Sequence, residues 1–282
     1  MTPKVSIVIP SHNAMPYLKD AVASALSQHY ENLEVVVVEN ASTDKSAQWL
    51  HTQSDPRLSV VYRTELQSAA LNWTQAVHES SGEYVKLLCA DDLLDPEIVA
   101  DQVAVLQAQP TAVMVASKRR VIDSQGAVIK RTHGLNGLKQ LEAGPAALKR
   151  CFLAGSNLLG EPASILFRST EIKAVMPWHS TWPYVTDVAT YAQVLRRGDV
   201  ATINKVQASF RIATTSWSAS LVGQQEDQFA HWQRSEIETG FVSLTSVENL
   251  RSRINLKLRT FARRIFFARE TRKSQSEKSP QN

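Results

Sequence analysis

At 282 residues with 43% hydrophobic content, the chain is long enough for one large α/β domain or two small ones, with a sizeable core. Its two cysteines, Cys89 and Cys151, exclude a disulfide framework, its scattered histidines exclude a zinc site, and no apolar run is long enough to span a membrane. The net charge of +4 is uneven: residues 251–282 hold ten Lys/Arg against two Asp/Glu and the rest hold 21 against 25, so a mildly acidic body carries a basic tail.

The first predicted strand, Val5 to Ile9, follows the N-terminus directly, without the charged, apolar and cleavage regions of a signal peptide. Asn13-Ala-Met-Pro16 turns into a helix over Pro16–Gln28, where Leu18, Val22 and Leu26 recur at helical spacing. Leu33–Val38 is a second strand, and Ser42-Thr43-Asp44 caps a helix reaching Gln53. A third strand over Leu58–Tyr62, a helix over Ser68–Glu79 and a turn at Ser81-Gly82-Glu83 come next. Tyr84–Cys89 reads as a buried strand, and Asp95-Pro96 supplies an N-cap and a first-turn proline for a helix to Gln107.

After Pro110 the rhythm changes. Ala112–Ser117 and Arg120–Ile122 are strand-like, and Ser124-Gln125-Gly126 is a hairpin signal. Residues 130–143 read as a flexible segment and Pro145–Leu153 as a helix. Gly155–Gly160 is a loop, Ser164–Arg168 a strand, Pro183–Arg197 includes a helix, and Val200–Ile212 is extended. No internal repeat is present.

Strand–helix alternation with unbroken β-branched strands predicts a mostly parallel sheet covered by helices on both faces. Ligands bind such sheets beyond the carboxyl ends of the strands. Neither GxGxxG nor GxxxxGK[ST] occurs, which argues against a dinucleotide fold of the usual kind and a P-loop NTPase. Three polar segments stand at that edge instead: Pro10-Ser11-His12-Asn13, Glu39 to Asp44, and Asp91-Asp92. Adjacent carboxylates without a neighbouring cation raise each other's pKa. A hard divalent cation carrying a diphosphate would relieve this. The alternative is a solvated acidic turn before a helix.

In this order the motifs resemble glycosyltransferase family 2, the inverting transferases of the GT-A fold. The resemblance rests on Val5-Ser-Ile-Val-Ile-Pro-Ser-His-Asn13, on Tyr17-Leu18 through Ser24-Ala-Leu-Ser-Gln28, on Glu34-Val-Val-Val-Val-Glu-Asn-Ala-Ser-Thr-Asp44, and on Gly82-Glu-Tyr-Val-Lys-Leu-Leu-Cys-Ala-Asp-Asp92. It is strong over 4–117 and weaker over 145–215. It implies a GT-A domain over 1–215, with a nucleotide-sugar half (1–117) and an acceptor half (118–215). A helical extension over 216–270 and a disordered tail over 271–282 would follow.

The resemblance also implies roles. Pro10, Ser11 and Asn13 would lie against the nucleoside, and Glu39, where the family usually has Asp, would accept from the base. Asp91 would contact the ribose or sugar side of the donor. Asp92, in a DXD-type loop, would ligate Mg²⁺ or Mn²⁺ on the diphosphate. Asp187 would be the catalytic base, although its placement also suits a plain helix N-terminal acid. Glu161 would bind acceptor or donor sugar, or is an ordinary loop acid. Arg211 would face the diphosphate. Two departures stand out: Leu71 precedes Asn72 where an Arg is common, and Ala213 stands where a metal-site His is expected.

The implied activity is transfer from a nucleotide-diphospho-sugar, with UDP the expected carrier, to a saccharide or lipid-linked acceptor in surface polysaccharide assembly. A non-catalytic nucleotide-sugar-binding subunit and a nucleotidyltransferase are the alternatives. Nucleic acid is not an expected partner. In the tail, Leu250, Ile254, Leu258, Phe261 and Ile265 recur at steps of four and three among basic residues, predicting a basic amphipathic helix. Residues 250–270 would then touch an anionic membrane, placing a cytoplasmic protein on its inner face. The alternative is packing on the catalytic domain or a partner subunit.

Overall fold

The structure, a computed structural model, describes residues 2–212, 221 and 223–278, with side chains through residue 265. Its first half repeats strand and helix: β1 (Val5–Ser11), α1 (Tyr17–Leu26), β2 (Leu33–Asn40), α2 (Ser46–Leu50), β3 (Leu58–Arg63), α3 (Ala69–His78), β4 (Tyr84–Leu87), β5 (Leu93–Leu94) and α4 (Ile98–Ala108). The second half adds β6 (Ala112–Ile122), β7 (Val128–His133), β8 (Leu141–Glu142), α5 (Gly144–Ala154), β9 (Ile165–Arg168), α6 (Ser169–Lys173), α7 (Thr186–Leu195) and β10 (Asp199–Arg211). Two further helices close it, α8 (Gln225–Glu238) and α9 (Ser246–Lys278).

All the strands among the described residues join one sheet in the order β3-β2-β1-β4-β9-β6-β10-β5, with β7 on β6 and β8 on β10. β1 runs parallel to β2 and β4, and β2 parallel to β3. β9 enters antiparallel between β4 and β6, and β6 is parallel to β10. The unbroken valines of β2 follow from this topology. Val35 and Val37 pack on the face covered by α1 and α4, while Val36 and Val38 pack on the face covered by α3. A strand buried on both faces needs apolar residues at every position.

Lys86, alone among the residues of β4 in carrying a charge, is fully buried, and its ammonium donates to the carbonyls of Ala163 and Ile165 at 3.0 and 2.8 Å. Burial pushes its pKa well down. Lys86 thereby ties β4 to the entrance of β9.

Several boundaries differ from expectation. Residues 112–122 form one strand, and the stretch read as flexible supplies β7 and β8. α4 starts at Ile98, and Asp95 does not cap it; its carboxylate is taken by Arg120 of β6. The second helix shortens to α2, Ser46–Leu50, with Asp44 Oδ1 accepting from the Ser46 amide at 2.8 Å just ahead of it. α9 continues through Lys278, into the stretch read as a tail. Ala213 lies outside the described residues.

Candidate active site

The loops after β1, β2 and β3 are tied in series at the carboxyl edge of the sheet. Asn13, at φ 47°, accepts on its Oδ1 from the Thr43 and Asp44 amides at 2.8 and 3.2 Å. Its own amide donates to Ser42 Oγ at 2.9 Å. Asn is one of the few side-chain-bearing residues that tolerate this left-handed backbone. Glu39 is buried, and its Oε1 accepts from the Ser42 amide at 2.8 Å. Asn40 exchanges two hydrogen bonds with Gln67 beyond β3, at 2.9 and 3.0 Å. Pro10 and Ser11 end β1 beneath this rim, and the Ser11 hydroxyl is buried without a partner among the described residues.

The acidic loop follows β4 directly. Asp92 is only 1% exposed; its Oδ1 accepts from the Arg211 amide at 2.9 Å, and its Oδ2 has no partner among the described residues. Burial and then the Asp91 charge push the Asp92 pKa well up. Burial likewise raises Asp91, against the pull of Arg211. The Arg211 guanidinium does not pair with either carboxylate. Its Nε donates to the Asp91 carbonyl at 2.9 Å and its Nη1 to the Asp123 carbonyl at 3.1 Å, with the plane 4.5 Å from the Tyr17 ring centre. The acid pair therefore keeps an uncompensated buried oxygen.

This suits a hard cation that draws one or two ligands from protein and the rest from phosphates and water. No cluster of three or more His, Cys, Asp or Glu able to hold a metal alone exists among the described residues. A cation here would be completed by its ligand.

The second half of the site comes from the later part of the chain. Asp187 stands in the first turn of α7. Its Oδ1 accepts from the Val188 amide at 2.6 Å and its Oδ2 from Asn157 Nδ2 at 2.9 Å. Burial lifts its pKa to about 6, opposed by these hydrogen bonds and by Arg119. Asn157 also donates to the Gly160 carbonyl and accepts from the Leu159 and Gly160 amides, so the 157–160 loop is wound around one side chain. That loop delivers Glu161 to Arg119, which grips it through Nε and, at 3.0 Å, Nη2. Arg119 is 1% exposed and lies against Gly134 and Gly160, where an added Cβ would stand 2.4 and 3.1 Å from its Nη1. Both glycines hold positive φ, 95° and 115°.

The two halves meet around Cys89 and Tyr191. Burial, then Asp92, Asp91 and Asp187, raise the Cys89 thiol. Burial, then Asp187, raises the Tyr191 hydroxyl, which also senses Arg119 and Asp92. The acidic loop and the α7 carboxylate thus share one buried electrostatic environment.

The sequence pattern described as Glycosyl transferase family 2 matches residues 6–166, more than half of the chain. The chain belongs to this family. The glycosyltransferase is 26% identical over 221 residues to TuaG of Bacillus subtilis, a protein whose name assigns it to teichuronic acid biosynthesis, covering 77% of this chain and 82% of that one. It is 25% identical over 128 residues to the glycosyltransferase GlyG of Streptococcus pneumoniae, covering 45% of this chain and 42% of that one.

Among solved structures, S. aureus TarS residues 1–349 align with a TM-score of 0.65 at 16% identity, covering 92% of this chain and 72% of that one. The mannosyltransferase PcManGT of Pyrobaculum calidifontis, in complex with GDP-Man and Mn²⁺, aligns with a TM-score of 0.63 at 18% identity, covering 99% and 77%. These likenesses establish the GT-A fold.

Two residues of this candidate site escape a sequence reading. Arg119 lies on β6 between buried Ser117 and Val121, and that two-residue alternation was the available signal. Asn157 had only its place between Gly155 and Gly160. Exposed Leu71, on α3, occupies the position where an arginine is common.

Proposed function

We propose that this glycosyltransferase moves a sugar, with inversion, from a UDP-linked donor to a saccharide or lipid-linked acceptor in surface polysaccharide assembly. The observation that carries the reading is Asp187: a carboxylate with a pKa of about 6, oriented through both oxygens, beside an acid loop with a free buried oxygen. A base poised near neutrality can take a hydroxyl proton and still be ionised at working pH. In this reading Asp187 takes the acceptor's proton. The acceptor oxygen bonds to the anomeric carbon, and the bond to the diphosphate breaks with its electron pair leaving on phosphate. Attack opposite the departing group inverts the centre.

Pro10, Ser11, Asn13 and Glu39 form the nucleoside side of the proposed site, and Asp91 its sugar side. Asp92 is the residue that would hold Mg²⁺ or Mn²⁺. A bound cation would neutralise charge on the leaving diphosphate. Arg211 braces the acidic loop through its amide and Nε. In the same reading Glu161, held by Arg119 one loop from Asp187, orients a sugar hydroxyl. The TarS fold neighbour bound to UDP-GlcNAc and the polysaccharide relative support this donor and acceptor class.

Peripheral binding at an anionic membrane is part of the same proposal. α9 exposes Val247, Leu250, Ile254, Leu258, Phe261 and Ile265 along one straight stripe, with Arg251, Arg253, Lys257 and Arg264 exposed on the helix as well. A lipid-linked acceptor would be met there. No helix among the described residues is long and apolar enough to cross a membrane.

The test is turnover: purified protein, Mn²⁺, and a panel of UDP- and GDP-sugars, with nucleotide release followed. Release from UDP-sugars that falls sharply in Asp187→Asn supports the reading. Release from no donor, or undiminished release in that variant, sinks it.

A further inference from the structure

Beyond the acid-lined cleft, the structure gathers cations that no carboxylate answers. His133 stands opposite Arg119 in the β6–β7 pairing. Lys130 Nζ lies 3.0 Å from His133 Nδ1. An ammonium has no acceptor capacity, so it donates and Nδ1 is unprotonated. Two side chains of α9 lie within electrostatic reach of His133. Arg259 donates to the Ala154 carbonyl at the end of α5. Arg263 touches Ser156 Oγ at 3.3 Å and Gln225 Oε1 at 3.5 Å, with its guanidinium 5.4 Å from the Tyr184 ring centre. Burial, then Arg119, Lys130, Arg259 and Arg263, drive the His133 pKa down to about 3.

Arg119 is matched by Glu161, whereas Lys130, Arg259 and Arg263 have no carboxylate partner among the described residues. Arg119 adds its own unpartnered, buried Nη1. Lys130 is exposed at the rim, but the charge of buried Arg119 and of partly buried Arg259 and Arg263 is withdrawn from water, which is costly unless an anion compensates it.

The location gives the cluster a purpose. Ser156, which Arg263 touches, precedes Asn157, the residue that orients Asp187. Tyr184, beneath the Arg263 guanidinium, lies in the 3₁₀ turn that leads into α7. The cluster therefore borders the Asp187 side of the cleft. Arg259 and Arg263 project from the docked side of α9, with Ser252, Leu256 and Thr260, opposite the exposed apolar stripe. A bilayer against the stripe would not present its headgroups here.

We propose that Lys130, Arg259, Arg263 and the inner edge of Arg119 form an anion site that takes a phosphate ester carried by the acceptor. Donors drawn from β7 and from two successive turns of α9 would approach from different directions, which suits the several oxygens of a phosphate, and Arg and Lys are both phosphate-binding side chains. The assignment to the acceptor rests on reading Asp187 as the base.

A ³¹P NMR titration of glucose 1-phosphate in EDTA tests it, run with and without saturating UDP. Wild type binds the ester equally in both, more tightly than it binds inorganic phosphate. Lys130→Gln and Arg263→Gln each weaken binding about tenfold, the loss of one charge-assisted hydrogen bond. Lys130 is exposed, so that variant remains readable if Arg263→Gln misfolds. Unchanged affinity in Lys130→Gln overturns the proposal. So does displacement of the ester by UDP, by glucuronate at equal concentration, or by phosphatidylglycerol vesicles, and so does equal affinity for inorganic phosphate. Failure of wild type to bind UDP at all would remove the donor reading alone, and the ester titration would still decide this site.

Discussion

Asp187 concentrates the proposed chemistry in one side chain. Its folded pKa of about 6 lies above the ordinary 3.8, so its carboxylate must form before it can accept a proton. The transfer rate is therefore expected to rise with pH to about 6 and level off above. Arg119 favours the ionised form, so Arg119→Gln should move that inflection upward; a flat profile from pH 5 to 8, or a downward move, contradicts the assignment. Asp187→Asn should lower turnover by roughly 10²–10⁴. The same shift has a sign for stability. A carboxyl whose pKa rises on folding contributes stability that is present at pH below the unfolded value and lost as pH climbs through about 6. Relative to wild type, Asp187→Asn should gain more in Tm at pH 7.5 than at pH 4. A smaller gain at pH 7.5 would mean the carboxylate is stabilised where it sits.

At the scale of elements, the seam between α5 and α9 is the contact most exposed to a single change. Gly155 ends α5 in the left-handed region, φ 60°, and a Cβ there would stand 2.5 Å from the Leu256 amide nitrogen. Ser252, Asn255 and Arg259 donate to the Phe152, Leu153 and Ala154 carbonyls at that helix end, where the Phe152 carbonyl also accepts from the Gly155 amide at 2.9 Å. Gly155→Ala combines backbone strain with a clash. Hydrogen exchange should then show lost protection across residues 246–265, with β1, β2 and β4 still protected. Unaltered protection of α9 would mean the seam does not hold it.

This seam also shows where the sequence stopped being readable. The strands of the first half and the acidic loop were legible because burial on both faces leaves an unbroken apolar run, and the acids interrupt it. The Asp95 cap was misjudged because Arg120, distant in sequence, competes for the same carboxylate. Arg119 and Asn157 take their meaning from a loop closing on β6. For α9, periodicity located an apolar stripe correctly, but the face that docks is the other one, built from Ser252, Leu256 and Thr260.

For the whole molecule, α9 has two opposed uses. One side is spent on the domain, and the other presents six apolar side chains beside basic ones. Each Lys or Arg near an anionic surface adds about 1 kcal/mol, an attraction that salt weakens. The protein should sediment with phosphatidylglycerol vesicles and not with phosphatidylcholine, and should be released as salt rises. Leu258→Glu with Phe261→Glu should abolish binding. If those changes instead convert a stable dimer to monomer without affecting vesicle binding, the stripe is a contact between copies.

The account depends most on Asp92 Oδ2, the buried oxygen left open beside Asp91. Crystals soaked with UDP and Mn²⁺ and measured at the manganese absorption edge test it directly. The expected result is one anomalous peak bonded to an Asp92 oxygen and to the diphosphate, with the base near Glu39. UDP bound with no peak, or a peak away from Asp92, contradicts it.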